Sequence, residues 1–567
     1  MNAQFVKYTK LLDLIDKNLL YQHAETLSQW ERLTGEEEAE KAVDYIVEEL
    51  HRHHIQHNRY QFDGYFSDPV HGHVSVIAPK HLDIRAKTRS FGLHLPQGIK
   101  GRVIYDCDSE KKRSVNGHAD RFEKMKGKIV VSWNYYEDYV KKIDSSGAIG
   151  LIHIWPSNEV AIHEETVGTV WGTPTIENID QLTKIPVVGI NYHDGMQLIE
   201  LIQEESVTVV LKTELKNGIK RVSLPVADIP GEIDEYILIS GHYDSWHKGA
   251  TDNATANALM LEMARIFSKK PCKRGIKFAW WPGHSNGRYA GSAWYCDHFW
   301  QEINERCVAH INIDFPGTKG NVQVVPRSTS LENAQFLKDI ITSFTEKEPS
   351  RFEYLPRGAD QSFWGTNIPI HIMLKYEPIE EEKIYQTPGG NWWWHTEEDL
   401  LDKVDFNLLY RDTGIHLGFV DELANLNILP INLIDFIANS RKLMYELDKS
   451  SDEAFDFTTV HQSFKDLAEV VRKLLGKEIL DVYRYNKLSK NIGGTLNRLK
   501  FSYSSKYDYD NTFPFQPYPC LAKVKGKYRS HTSPDEFLFT LTFFVRQRNR
   551  IVNEIKEIIK EINGYLV

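Results

Sequence analysis

The sequence predicts an α/β protein: a doubly wound, mostly parallel sheet, interrupted by a β-rich insert and followed by a helical C-terminal region. Three observations carry this. Between about residues 220 and 430, apolar runs of strand length (YILISGHYD, IKFAWWPG, CVAHINIDF, NVQVVP, IPIHIML) alternate with amphipathic stretches such as NALMLEMARIFSK, the pattern of strands covered by helices on both faces. Between about 66 and 215 the runs are short and separated by turns (HVSVIAP, GRVIYD, GKIVVSW, GAIGLIHIW, KIPVVGI). Past about 430 helical periodicity dominates, as in DFIANSRKLMYELDKS and QSFKDLAEVVRKLLGK. The expected organisation is therefore 1–65 with 216–430 as the main domain, 66–215 as the insert and 431–567 as the helical region.

Taken in order, residues 1–57 read as helices. LLDLIDKNLL is followed by AEKAVDYIVEELHRH, with Thr34 and Glu37 at the spacing of a capping box. The final helix is expected from SPDEFLF to KEING, with Ser533 as N-cap, Pro534 in the first turn and Gly564 at the end.

Composition narrows the class. At 567 residues the chain exceeds what one hydrophobic core supports. A net charge of −10 and a pI of about 6.2 argue against nucleic-acid binding. No apolar run reaches the ~18 residues of a membrane-spanning helix, so no membrane partner is expected. Five cysteines without a CxxC pair fit free thiols in a reducing compartment, and no signal-peptide pattern opens the chain, so a cytoplasmic location is expected.

The chemistry is read from the strand ends, where open α/β sheets bind ligands. YILISGHYDS ends in His242 and Asp244; GATDNATANA places Asp252 ahead of a helix; FAWWPGHS ends in His284; HINIDFPG ends in Asp314; GGNWWWHTEED offers His395. Singly, each has an ordinary explanation: a satisfied polar residue, a helix cap at Asp252, a turn former at Asp314. Together, imidazoles and carboxylates in this arrangement suit one or two divalent ions, zinc first, with Mn²⁺ or Fe²⁺ as alternatives. Asp244, two residues along the strand from His242, is placed to orient that imidazole. Arg288 and Tyr289 are candidates for binding a substrate carboxylate or oxyanion, and Trp394 with Trp392 and Trp393 for an aromatic wall.

SGHYDSWHKGATDNATANALMLEMAR, HINIDFPG, RGADQSFWGTNIPIHIM and WHTEEDLLDKVD together resemble the metal motifs of the co-catalytic zinc aminopeptidases, the family that includes glutamate carboxypeptidases and the transferrin receptor. The resemblance covers roughly 30–65 and 220–420. It implies a zinc exopeptidase-like fold, with His242, Asp252 and Asp314 at one ion, and Asp252 bridging to a second ion at His395. It further implies that 66–215 is a protease-associated insert and that the helical tail makes a homodimer.

The chain departs from this family at one place. Where hydrolytic members carry a Glu-Glu pair, base then ligand, this chain reads His284-Ser285-Asn286, with one extra residue before Gly291-Ser292. Aligned from the left, His284 takes the base position; from the right, Ser285 does. Three readings follow: His284 replaces the ligand, it replaces the base, or it marks a site that only binds. The ligand role is preferred, since two protein ligands alone would under-coordinate a second zinc. The base would then come from the insert, where AIHEETVGTVWGTPT offers Glu164, Glu165 and His163, although a solvated surface loop is the ordinary reading of that segment. The expected function is metal-dependent hydrolysis of amide bonds in a peptide or small, specialised substrate through metal-activated water. The alternatives are a lyase or isomerase on the same scaffold and a receptor-like binding protein.

Overall fold

The computed structural model describes residue 8 and residues 10–110, 119–329, 334–379, 391–512 and 516–567. Its strands are β1 (Gln56–Ala78), β2 (Leu82–Thr88), β3 (Leu95–Tyr105), β4 (Ile129–Ser132), β5 (Gly150–Ile154), β6 (Val187–Ile190), β7 (Thr208–Ile229), β8 (Ile233–His242), β9 (Arg274–Trp281), β10 (Cys307–Asn312), β11 (Gln323–Ser328), β12 (Glu353–Tyr354) and β13 (Ile370–Glu377). They join in one 13-stranded mixed sheet in the order β1-β2-β6-β5-β4-β3-β7-β9-β8-β10-β13-β11-β12.

Its heart is the parallel set β9-β8-β10-β13. These strands are apolar along nearly their whole length because both faces are covered, as the burial of every residue of β10 shows. The helix Thr255–Phe267 packs there almost wholly buried, with the N-terminal helices Lys17–Leu27 and Glu37–Arg52 alongside it. The second parallel set, β3-β4-β5-β6, belongs to the insert and has its own apolar clusters around Val131, Ile152 and Val188 and around Tyr139 and Leu151. NVQVVP, as β11, runs antiparallel to β13 and is flanked on its other side by the short edge strand β12.

The insert is carried on two long strands. β1 and β7 pair antiparallel from Gln56–Asp228 to Ala78–Thr208, so the expected boundaries at 66 and 215 fall inside one continuous ribbon. Residues 161–167 are buried, and Glu164 N–H donates to His395 O at 2.8 Å, which sets this part of the insert beside the His395 loop. The helices Leu433–Lys449, Thr458–Leu475, Val482–Phe501 and Pro534–Leu566 enclose a separate apolar core. No helix among the described residues is long and apolar enough to cross a membrane.

Two terminal assignments differ from expectation. The second helix starts at Glu37 with Glu36 as its cap; Thr34 does not cap it, because its hydroxyl accepts the Gly283 N–H at 2.7 Å and so tethers the β9 turn. Ser533 caps the last helix as expected, its side chain accepting the Glu536 N–H. Gly564 does not end it, and the helix runs on to Leu566.

Candidate metal centre

His242 ends β8, Asp314 follows β10, and Asp252 lies in the loop before the helix Thr255–Phe267. Side chains from that loop and the first turn of the helix fix the three relative to one another. Asn253 donates to Ile313 O at 3.0 Å and accepts from Phe315 N–H at 3.3 Å, while Asn257 donates to His242 O at 3.0 Å. Asp399, unpicked in the sequence, accepts the Thr251 N–H, the Thr251 hydroxyl and the Asp252 N–H at 2.8–3.0 Å. Arg32, fully buried, donates to the carbonyls of Tyr243 and Gly249 and so pins the loop after β8.

The result is a convergence of donors. His242 Nε2 lies 3.1 Å from Asp252 Oδ1 and 3.5 Å from Asp314 Oδ1. All three atoms are buried without a hydrogen-bond partner, and one atom from each residue lies within 4.8 Å of the others. Buried polar atoms are ordinarily paired, and one imidazole with two carboxylates is a donor set for a divalent cation. The residues fit the metal that the motifs imply. On the other side of Asp252, Oδ2 lies 3.0 Å from His395 Nε2.

The electrostatics express the same crowding. Burial disfavours charge on His242, but the nearby carboxylates of Asp244, Asp252 and Asp314 outweigh it and raise its pKa well above the ordinary value. Burial likewise opposes charge on Asp252, and the adjacent imidazoles of His242 and His395 overcome it, lowering its pKa. For Asp314 burial prevails and the pKa rises. For Asp399 burial again prevails, to about 6. His395 rises to about 9, because Glu165 and Asp252 together outweigh its burial. A divalent cation would take over the positive charge that shared protons supply to these carboxylates.

Asp244 orients His242 through its backbone: the carbonyl accepts from Nδ1 at 2.8 Å, with the side chain farther off at 3.6 Å. The Asp244 carboxylate instead accepts the N–H groups of His284 and Ser285 at 3.2 and 3.1 Å. It thereby shapes the atypical turn. His284 stacks flat on His242, ring centroids 3.8 Å apart and planes 12° apart. Its Nδ1 lies 2.6 Å from Asp360 Oδ2. Asp360 is fully buried, with its other oxygen accepting from Ser292 at 2.9 Å. His284 is in neither group of residues that brings three donors together.

The remaining candidates are redistributed. Glu164 and Glu165 are not in a solvated loop: both are under a tenth exposed. The Glu164 carboxylate is taken up by Lys87 at 3.1 Å and His247 at 3.0 Å, and these line a cavity of about 450 Å³ with Arg85 and His73. Glu165 faces His395, Oε2 to Nδ1 at 3.5 Å. Arg288 is buried in an ion pair with Glu137 of the insert, which occupies the guanidinium intended for substrate. Tyr289 is buried between Trp171 and His284. Trp394 stacks on His395 at 3.8 Å and serves as its packing partner, while Trp392 and Trp393 are half-buried. Several non-glycine residues here adopt positive φ, including His395 (58°), Asp360 (56°), Arg288 (45°) and Tyr289 (70°), a clustering of backbone strain typical of functional sites.

Comparison with known proteins agrees with this class of site. Residues 226–417 match the family model Peptidase family M28. Aminopeptidase YwaD of Bacillus subtilis (strain 168) is 29% identical over 203 residues, 34% of this chain and 40% of its own. The inactive zinc metalloprotease C354.09c of Schizosaccharomyces pombe is 24% identical over 271 residues, 43% of this chain and 32% of its own. The chain thus spans less than half the length of these curated relatives. The solved structure of a zinc aminopeptidase from Bacillus subtilis has the same fold, with a TM-score of 0.53, 19% identity, and coverage of 72% of this chain and 96% of that one. The resemblance carried by the metal motifs is therefore to the M28 peptidases.

Proposed function

We propose that this protein is a metal-dependent hydrolase of amide bonds, similar to aminopeptidases and acting on a peptide or a small, specialised substrate. The observation that carries the reading is the trio His242 Nε2, Asp252 Oδ1 and Asp314 Oδ1, three buried donors converging without hydrogen bonds at the carboxyl ends of β8 and β10. A divalent cation there, zinc by the family resemblance, supplies Lewis-acid polarisation of the scissile carbonyl and a more acidic water.

The chain's own residues supply the rest. Asp360 holds His284 by Nδ1, which leaves Nε2 to accept a proton from the attacking water and return it to the leaving amine. Two observations support this role over that of a ligand: His284 lies in neither three-donor group, and a buried carboxylate fixes its ring. Glu164, held by Lys87 and His247, is assigned to shaping the wall of the neighbouring cavity.

The test is hydrolysis of a panel of aminoacyl p-nitroanilides and dipeptides by chelator-treated protein resupplied with Zn²⁺, Mn²⁺ or Co²⁺. Activity should vanish on metal removal, return on resupply, and be absent from His242→Ala. A wild-type protein that binds metal but cleaves nothing in the panel would favour the binding-protein alternative, for which the absent Glu-Glu pair is the motivating feature.

A further inference from the structure

The β9 turn carries no carboxylate, yet the insert delivers donors to the far side of His395. One donor atom from each of His163, Glu165 and His395 lies within 4.8 Å of the other two. His163 is 1% exposed, and neither of its ring nitrogens has a hydrogen-bond partner. Leaving such a buried polar atom unpaired is unfavourable. The surrounding contacts are ring faces: Trp155 stacks on His163 at 3.8 Å and His395 lies parallel at 5.5 Å.

The donors are also held in place by main-chain contacts instead of by one another. Arg89 donates to His163 O, and Ser90 N–H donates to Glu165 O at 3.1 Å. Between them, Glu164 N–H donates to His395 O at 2.8 Å and His395 Nδ1 lies 3.1 Å from Glu164 O. A backbone held in this way, presenting the unpaired imidazole of His163 beside the His395 ring and the Glu165 carboxylate, meets the first requirement of a cation site.

We infer that His163, Glu165 and His395 hold a second divalent cation, separate from the one at His242, Asp252 and Asp314. The inference rests on the hydrolase reading above only in placing both ions in the same centre. His395 would offer Nδ1, the nitrogen 3.5 Å from Glu165 Oε2, and would give up its contact with Glu164 O. Nε2 keeps its contact with Asp252 Oδ2. Two imidazoles and one carboxylate leave a position open on zinc for water or substrate. This assignment makes the insert a contributor of ligands and frees His284 from that task.

The experiment is calorimetric titration of chelator-treated protein with Zn²⁺, with circular dichroism and melting curves confirming that every variant is folded. Wild type should bind two equivalents. His163→Ala and Glu165→Gln should each retain one equivalent and weaken the other by more than about tenfold. Asp314→Asn should lose the complementary equivalent and keep this one. Two equivalents unchanged in both His163→Ala and Glu165→Gln would overturn the inference, as would a single wild-type equivalent abolished by His242→Ala, which leaves the hydrolase reading standing. A wild type that binds no zinc would sink both.

Discussion

At His284 one hydrogen bond decides what the ring can do. Asp360, buried and anchored by Ser292, fixes Nδ1, so only Nε2 remains for proton transfer. Asp360→Asn keeps the shape of the contact but removes its charge and its preference for one tautomer. It should lower kcat by roughly 10²–10⁴-fold, the usual contribution of general acid–base catalysis, with zinc stoichiometry unchanged. Equal loss of metal would instead assign the pair to holding the ion, and unchanged kcat would remove it from the mechanism. Asp399 acts through Asp252, since it accepts the N–H groups that set the Asp252 backbone.

At the level of elements, small residues decide how the helical region meets the sheet. A Cβ on Gly494, in the helix Val482–Phe501, would stand 2.4–2.6 Å from the backbone of Asn367, too close for any side chain. Asn497, one turn on, donates to Pro369 O at 2.8 Å. Helix and segment are therefore docked backbone to backbone, just ahead of β13. Gly494→Ala should destabilise the protein by about 1–3 kcal/mol through overpacking, read as a lowered urea midpoint. An unchanged midpoint would show that the contact yields easily. The clamp of Arg89 and Ser90 on residues 163–165 is the corresponding device at the other end of the sheet.

At the scale of the whole molecule, buried neutral histidines set the acid limit of stability. Burial lowers the pKa of His371 and of His416 to about 3. The unfolded chain takes up protons at these sites as pH falls below about 6.5 and the folded chain does not, so stability is full above that pH and is lost toward pH 3. At pH 5 each site should remove on the order of 2 kcal/mol. Urea unfolding in chelator at pH 7.5 and pH 5 should show the midpoint falling with pH. A flat profile between the two would contradict the burial of both rings.

Much was legible in the sequence because it is local. Apolar runs alternating with amphipathic stretches specify strands and helices, and the strand-end order of His242, Asp252, Asp314 and His395 specifies a set of donors before any geometry is known. The Ser533 cap was equally local, since a cap needs only its own first turn. What failed to be read involves partners distant in the chain. Thr34 has a capping sequence but serves Gly283, 249 residues away. Arg288 resembles a substrate anchor, but Glu137 of the insert neutralises it. Asp360 and Asp399 lie in the quoted stretches RGADQSFWGTNIPIHIM and WHTEEDLLDKVD, but the partners of their carboxylates cannot be inferred from neighbours in sequence. The residues alone thus determined which chemistry is available. Only the tertiary structure, by setting the insert beside the His395 loop, decided that Glu165 and His163 face His395 while His284 turns to Asp360. Such pairings depend on long-range packing, which no local pattern encodes.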